Sequence, residues 1–132
     1  MARNLDQCLK MDGKVNHRAI VFYDTMFGDY SGQKIVEKAR LYFDEVDFHV
    51  YTPRPGSSAW PTPQNHAWQI AARHIESLML PRGQGWLWWE GDATPVKAGW
   101  LDKIAEAYAA RGRPLFMGHV VEGSGHMNGV AV

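Results

Sequence analysis

Apolar residues gather in short runs divided by turn-rich segments, and the spacing within a run shows which element it builds. Ala19-Ile-Val-Phe-Tyr23 is compact and apolar, which predicts a core strand. It opens into Asp24-Thr-Met-Phe-Gly-Asp-Tyr-Ser-Gly32, a stretch rich in turn formers. Ser31 is placed to cap a helix whose apolar positions Ile35, Val36, Ala39, Tyr42 and Phe43 recur at helical spacing. From Val46 to Tyr51 the pattern alternates, with Val46, Phe48 and Val50 on one face of a half-buried strand. After a loop over 52–61, Thr62-Pro63 gives a helix start, because proline fits the first helical position. Trp68, Ala72, Ile75 and Met79 form the expected buried stripe, and Pro81 with Gly83 stops the helix.

The most apolar run follows, in Gly85-Trp-Leu-Trp-Trp-Glu-Gly-Asp-Ala-Thr-Pro95. Trp86 to Trp89 have no polar break, which predicts a strand buried on both faces. Thr94-Pro95 repeats the helix-start signal, and Val96, Trp100, Ile104, Ala107 and Tyr108 mark a helix running to Gly112. Pro114 to Val121 and His126 to Val132 read as strands joined by the turn Glu122-Gly-Ser-Gly125, which favours an antiparallel hairpin. Residues 1–17 are polar and poorly patterned and predict a peripheral arm. Strands alternating with helices predict an α/β fold with a largely parallel sheet covered on both sides. No repeat, low-complexity tract or linker divides the chain, so one domain over 1–132 is expected. The apolar run reaching Val132 predicts a fragment, or a reduced form of a larger domain.

Composition narrows the function classes. The chain has 132 residues, 45% of them hydrophobic and 21% charged, the balance of an ordinary globular protein. Fourteen basic and fourteen acidic side chains cancel, which gives no electrostatic reason to expect nucleic acid as a partner. Cys8 is the only cysteine, so no intramolecular disulfide forms and a reducing compartment is expected. Nothing approaches the roughly 20 apolar residues of a membrane span, and the N-terminal residues lack a signal-peptide pattern; a cytoplasmic location is the expectation. Six tryptophans serve mainly a core, with a ligand pocket as the other use.

Chemistry concentrates at Glu90 and Asp92. Residues two apart on a strand point the same way, so both carboxylates are expected on one side of its end. Carboxylates are costly to bury unpaired, which points to a cation or a polar cleft. A divalent ion shared with substrate phosphates suits such a pair ahead of a helix N-terminus. The plainer alternative makes Asp92 a turn cap and Glu90 a salt-bridge partner. His66 and His74 lie on similar faces of one helix but are over two turns apart, which makes them poor co-ligands. Phosphate-loop, dinucleotide, zinc-protease and nucleophile-elbow motifs are absent.

Trp86 to Leu101, with Pro95 and Trp100-Leu101 in the downstream helix, resembles the metal-site strand of GT-A fold glycosyltransferases of the family-2 type. The resemblance is closest from Gly85 to Val132, includes Phe116-Met-Gly118 and His126-Met-Asn-Gly129, and across 19–80 is one of element order. The motif here is Glu-Gly-Asp where the family pattern is Asp-x-Asp. The resemblance implies a GT-A-like, Rossmann-like mixed sheet, mostly parallel and flanked by helices, with a C-terminal antiparallel hairpin. It also implies transfer of a sugar from a nucleotide-sugar donor to an unidentified acceptor. Glu90 and Asp92 would hold manganese or magnesium, with His126 as a further ligand. Asp24 and Thr25 would contact the nucleoside, and Asn65 and Arg73 would border the donor. Glu122 is the candidate general base and Asp92 the catalytic acidic residue. Each has a structural alternative: a surface histidine at 126, a solvated turn glutamate at 122, an Asx turn at 24, and a helix with an exposed arginine at 73. A nucleotidyltransferase on a similar core and a non-catalytic binding module are the competing functions.

Overall fold

The structure is a computed structural model that describes residues 1–25, 29–52, 62–79, 84–91, 93–114, 117–120 and 127–131. It is a mixed α/β chain with four helices among these residues, and none of the helices is long and apolar enough to cross a membrane. Contacts group it into two compact units. One holds residues 3–13 with 82–132, the other 14–81.

The 14–81 unit is built on β1 (Val15–Asp24), α2 (Asp29–Tyr42) and β2 (Phe43–Tyr51), followed by α3 (Thr62–Ser77). β1 and β2 are parallel, in register from Arg18 opposite Glu45 to Asp24 opposite Tyr51. One face of this ribbon meets α2. Tyr23 and Phe48 approach ring to ring at 6.0 Å, and Gly32 of α2 lies against the Tyr23 ring. Val36, Ala39, Tyr42 and Phe43 are buried there, as the helical spacing predicts. The opposite face carries Phe22, His49 and Tyr51, and their rings meet His74 and His66 of α3.

Two expectations about these elements fail. Val46, Phe48 and Val50 do not form the better-covered face of β2, since Phe48 is 40% and Val50 49% exposed. Alternation shows that a strand has two faces; here the imidazole and phenol rings of the other face are wide enough to pack under α3. The buried stripe of α3 is also displaced: Ala71 is fully buried, while Met79 is 87% exposed with φ 49°. The helix has already closed at that point, where the Ser77 hydroxyl donates to His74 O at 2.6 Å and Met79 N donates to Glu76 O.

In the other unit, residues expected to form an arm are a helix, α1 (Ala2–Asp12), with Leu5 and Cys8 buried. Ala2, Leu5, Cys8 and Leu9 recur at helical spacing there, a pattern set among polar residues. The expected Trp86–Trp89 strand is reduced to a single β-bridge at Trp88, with all of these side chains half-buried. The helix expected from Thr94 begins later, as α4 (Trp100–Ala110). Gly99 sits at φ 68°, a left-handed conformation that interrupts a right-handed helix, and so sets the start. β3 (Gly118–Val120) pairs antiparallel with β4 (Met127–Ala131).

Gly32 gives the fold its clearest test. A Cβ there would lie 3.0 Å from the buried Tyr23 ring, which would have to give by a few tenths of an ångström. Overpacking of this kind costs about 1–3 kcal/mol, more than the roughly 1 kcal/mol of helix propensity that alanine adds. Gly32→Ala is therefore expected to lower the midpoint of urea unfolding. An unchanged or higher midpoint would show that α2 does not press on Tyr23.

Candidate functional site

The acidic turn lies in the unit of residues 3–13 and 82–132. Ala93 N donates to Glu90 O at 3.1 Å, so the chain turns directly after the tryptophans instead of continuing as a strand. Two indoles are committed to this turn: Trp88 Nε1 donates to Glu90 Oε1 at 3.3 Å, and Trp89 Nε1 to Ala93 O at 2.8 Å. The Trp89 ring also meets Trp100 of α4 edge-on at 5.0 Å. A glycine at 85 admits Tyr108 of α4, whose ring edge would stand 2.7 Å from any Cβ there.

Side chains of α1 supply the remaining donors. Asn4 Nδ2 donates to Gly91 O and to Ala93 O, both at 3.1 Å, and Gln7 Nε2 to Pro95 O at 3.2 Å. Asp12 Oδ1 accepts from Gly99 N at 2.7 Å, at the residue preceding α4. Hydrophobic periodicity does not report these contacts; the signal available in sequence was the spacing of Asn4, Gln7 and Asp12, which puts them on one side of a helix.

Glu90 is thus a half-buried carboxylate with a neutral donor on one oxygen. Oxygen donors of this kind suit a hard divalent cation, so the chemistry of the residue fits manganese or magnesium. Among the described residues, no three His, Cys, Asp or Glu side chains gather as a metal-binding group. Asp92, Glu122 and His126 lie outside the described residues. Glu90 itself stands outside any strand, and the expected two-apart arrangement with Asp92 falls outside the described residues.

The remaining predicted residues belong to the 14–81 unit. Asp24 ends β1, directly opposite Tyr51 at the end of β2, and Thr25 follows it in a helical turn, exposed. Asn65 and Arg73 are exposed on α3. Aromatic and histidine rings surround that strand end. His66 packs edge-on to Tyr51 at 6.3 Å, and its buried Nδ1 has no hydrogen-bond partner among the described residues. His74 instead lies 4.9 Å from His49 and 5.7 Å from Phe22, so the two histidines of α3 serve different neighbours, as their separation predicts. Toward the start of the strands, the exposed Arg18 guanidinium pairs with Asp47 at 2.6 Å.

Burial, and second the Asp24 carboxylate, hold the Tyr51 hydroxyl above its ordinary value of 10.0. No family model, curated protein or solved structure matches the chain.

The Tyr51 shift yields a titration test. A raised value means that folding favours the neutral phenol, a contribution fully present below the unfolded value and lost as pH rises through the folded one. Asp24→Asn removes the second cause and keeps the first. Phenolate absorbance should then show one tyrosine ionising at lower pH than in the native chain, and alkaline unfolding should change less steeply. If no tyrosine moves, Asp24 does not act on Tyr51.

Proposed function

We propose that the chain is a metal-dependent glycosyltransferase of the GT-A type, passing a sugar from a nucleotide-diphosphate donor to an acceptor. One observation carries this reading: the apolar tryptophan segment ends in a turn whose leading carboxylate, Glu90, is oriented by an indole N–H while its backbone carbonyls are tied from outside. A carboxylate fixed in this way is an organised oxygen donor, and Asp92 follows two residues on. On this reading Glu90, Asp92 and His126 hold manganese or magnesium. The bound ion supplies positive charge against the departing diphosphate. Glu122 accepts the acceptor's proton. The parallel β1–α2–β2 unit is the first part of a GT-A-like, mostly parallel central sheet with a C-terminal antiparallel hairpin, all in one domain. Ligands of such sheets collect beyond the carboxyl ends of the strands. Asp24 and Thr25 stand at such an end and take the nucleoside, while Asn65 and Arg73 border the donor.

The experiment is a screen of nucleoside diphosphates and their sugar conjugates by thermal shift, with and without manganese. Ligand at one hundred times its dissociation constant adds about 2.7 kcal/mol to the folded state, a rise of several degrees in Tm. That rise should require manganese and should disappear in Asp92→Ala and in Glu90→Gln, with circular dichroism unchanged. Full donor binding or hydrolysis by Asp92→Ala would overturn the assignment. Pyrophosphate released from a nucleoside triphosphate would replace it with nucleotidyl transfer.

A further inference from the structure

We propose that α1 is the positioning element of the acidic turn, with Asn4 as its principal contact; the inference rests on the metal-binding reading of Glu90 and Asp92. A carboxamide nitrogen has two N–H groups. In Asn4 they are directed to Gly91 O and Ala93 O, the carbonyls of the residues on either side of Asp92 in sequence. One side chain therefore ties both flanks of the position that carries the second carboxylate. Ala93 O is shared with Trp89 Nε1, and Glu90 O accepts from Ala93 N, so the same short stretch is gripped from three directions.

The segment has little means of holding itself. Pro95 has no N–H to donate, and Gly99 adopts a left-handed conformation that ends any helical pairing before α4. Gln7 and Asp12 extend the grip to Pro95 O and Gly99 N. The helix that presents these groups is anchored separately, by the buried side chains of Leu5 and Cys8. The polar contacts are thus not needed to keep α1 helical; their consequence is the shape of the turn. Partners that orient ligand-bearing groups typically contribute about 10–100-fold to metal affinity.

The test uses the full chain and Asn4→Leu, a neutral helix-forming replacement of similar size that has no donor. Manganese titration by calorimetry is expected to show affinity weakened by about tenfold, at the low end of that range. The Trp89 indole N–H resonance should shift and exchange faster with solvent, because the stretch that carries its acceptor Ala93 O is no longer tied by Asn4. Helical circular dichroism should stay the same. Asn4→Gln keeps a carboxamide and should recover most of both effects. Asn4→Leu with native manganese affinity, or with an unmoved Trp89 resonance, would overturn the proposal. If the native chain binds no manganese, the functional reading falls on that result alone, and the Trp89 resonance still decides whether Asn4 sets the turn.

Discussion

Backbone carbonyls outside helices and strands still require donors, and those of Gly91, Ala93 and Pro95 receive them from side chains. The contacts to Gly91 O and Pro95 O are exposed, whereas Ala93 O is part-buried, where a carbonyl without a donor costs about 1–3 kcal/mol. Here Asn4, Gln7 and Trp89 provide the donors. The rest of that unit follows from this accounting. The tryptophan segment bends at Glu90 because Ala93 closes on it. α4 begins at Trp100 because Asp12 receives Gly99 N where a helix would otherwise have started. α1 meets the segment before α4 through these polar contacts, and its Leu5 and Cys8 are buried.

The unit of residues 14–81 rests on a different economy. Its parallel ribbon is covered in part on one side by α2, where Gly32 lets the helix backbone approach Tyr23 and where Tyr42 is wholly buried, while Phe48 and Val50 stay exposed. That side is aliphatic and aromatic, and gains by removing apolar area from water. The other side is covered by rings that combine an apolar body with a polar edge: Phe22, His49, Tyr51, His66 and His74. Such rings pack at 5–6 Å with tilted or edge-on geometry and keep polar atoms within reach of the strand ends. The face under α3 is thus both part of the core and a surface on which polar chemistry can be arranged.

This division explains what could be read from the residues alone. β1 and α2 were legible because their apolar positions repeat with the period of the element they form; Ile35, Val36, Ala39 and Tyr42 fall in α2 as that period places them, whereas Phe43, read as helical, begins β2. β2 was found as a strand, but its covered side was not, since Val46, Phe48 and Val50 look more core-like than Asp47, His49 and Tyr51. The choice between the faces is made by α3, which lies far along the chain. α1 was missed although Ala2, Leu5, Cys8 and Leu9 recur at helical spacing, and its contacts were not legible at all: Asn4, Gln7 and Asp12 are polar, and a polar residue bonded to a distant backbone group looks the same as one that faces water. Thr94-Pro95 offered a valid helix start, overridden by Gly99 and by the external claims on nearby carbonyls. Of the candidate site, Glu90 at the end of an apolar stretch was legible, whereas the indole that orients it was counted only as bulk.

The unpartnered nitrogen of His66 bears on where a ligand would add most. A neutral imidazole has one donor nitrogen and one acceptor, so a buried Nδ1 leaves a single hydrogen bond unmade in either tautomer. Among the described residues, no side chain or backbone group takes that role. The nitrogen lies beside Tyr51, itself opposite Asp24 at the end of the parallel pair. A polar ligand edge reaching this point would recover a hydrogen bond that the fold leaves open, and would do so next to one carboxylate and one phenol. A nucleoside has donors and acceptors on the rim of a flat ring, which matches a strand end lined by rings with polar edges. On the proposed reading, a nucleoside at Asp24 would meet the His66 nitrogen, a neighbour with a hydrogen bond still to make.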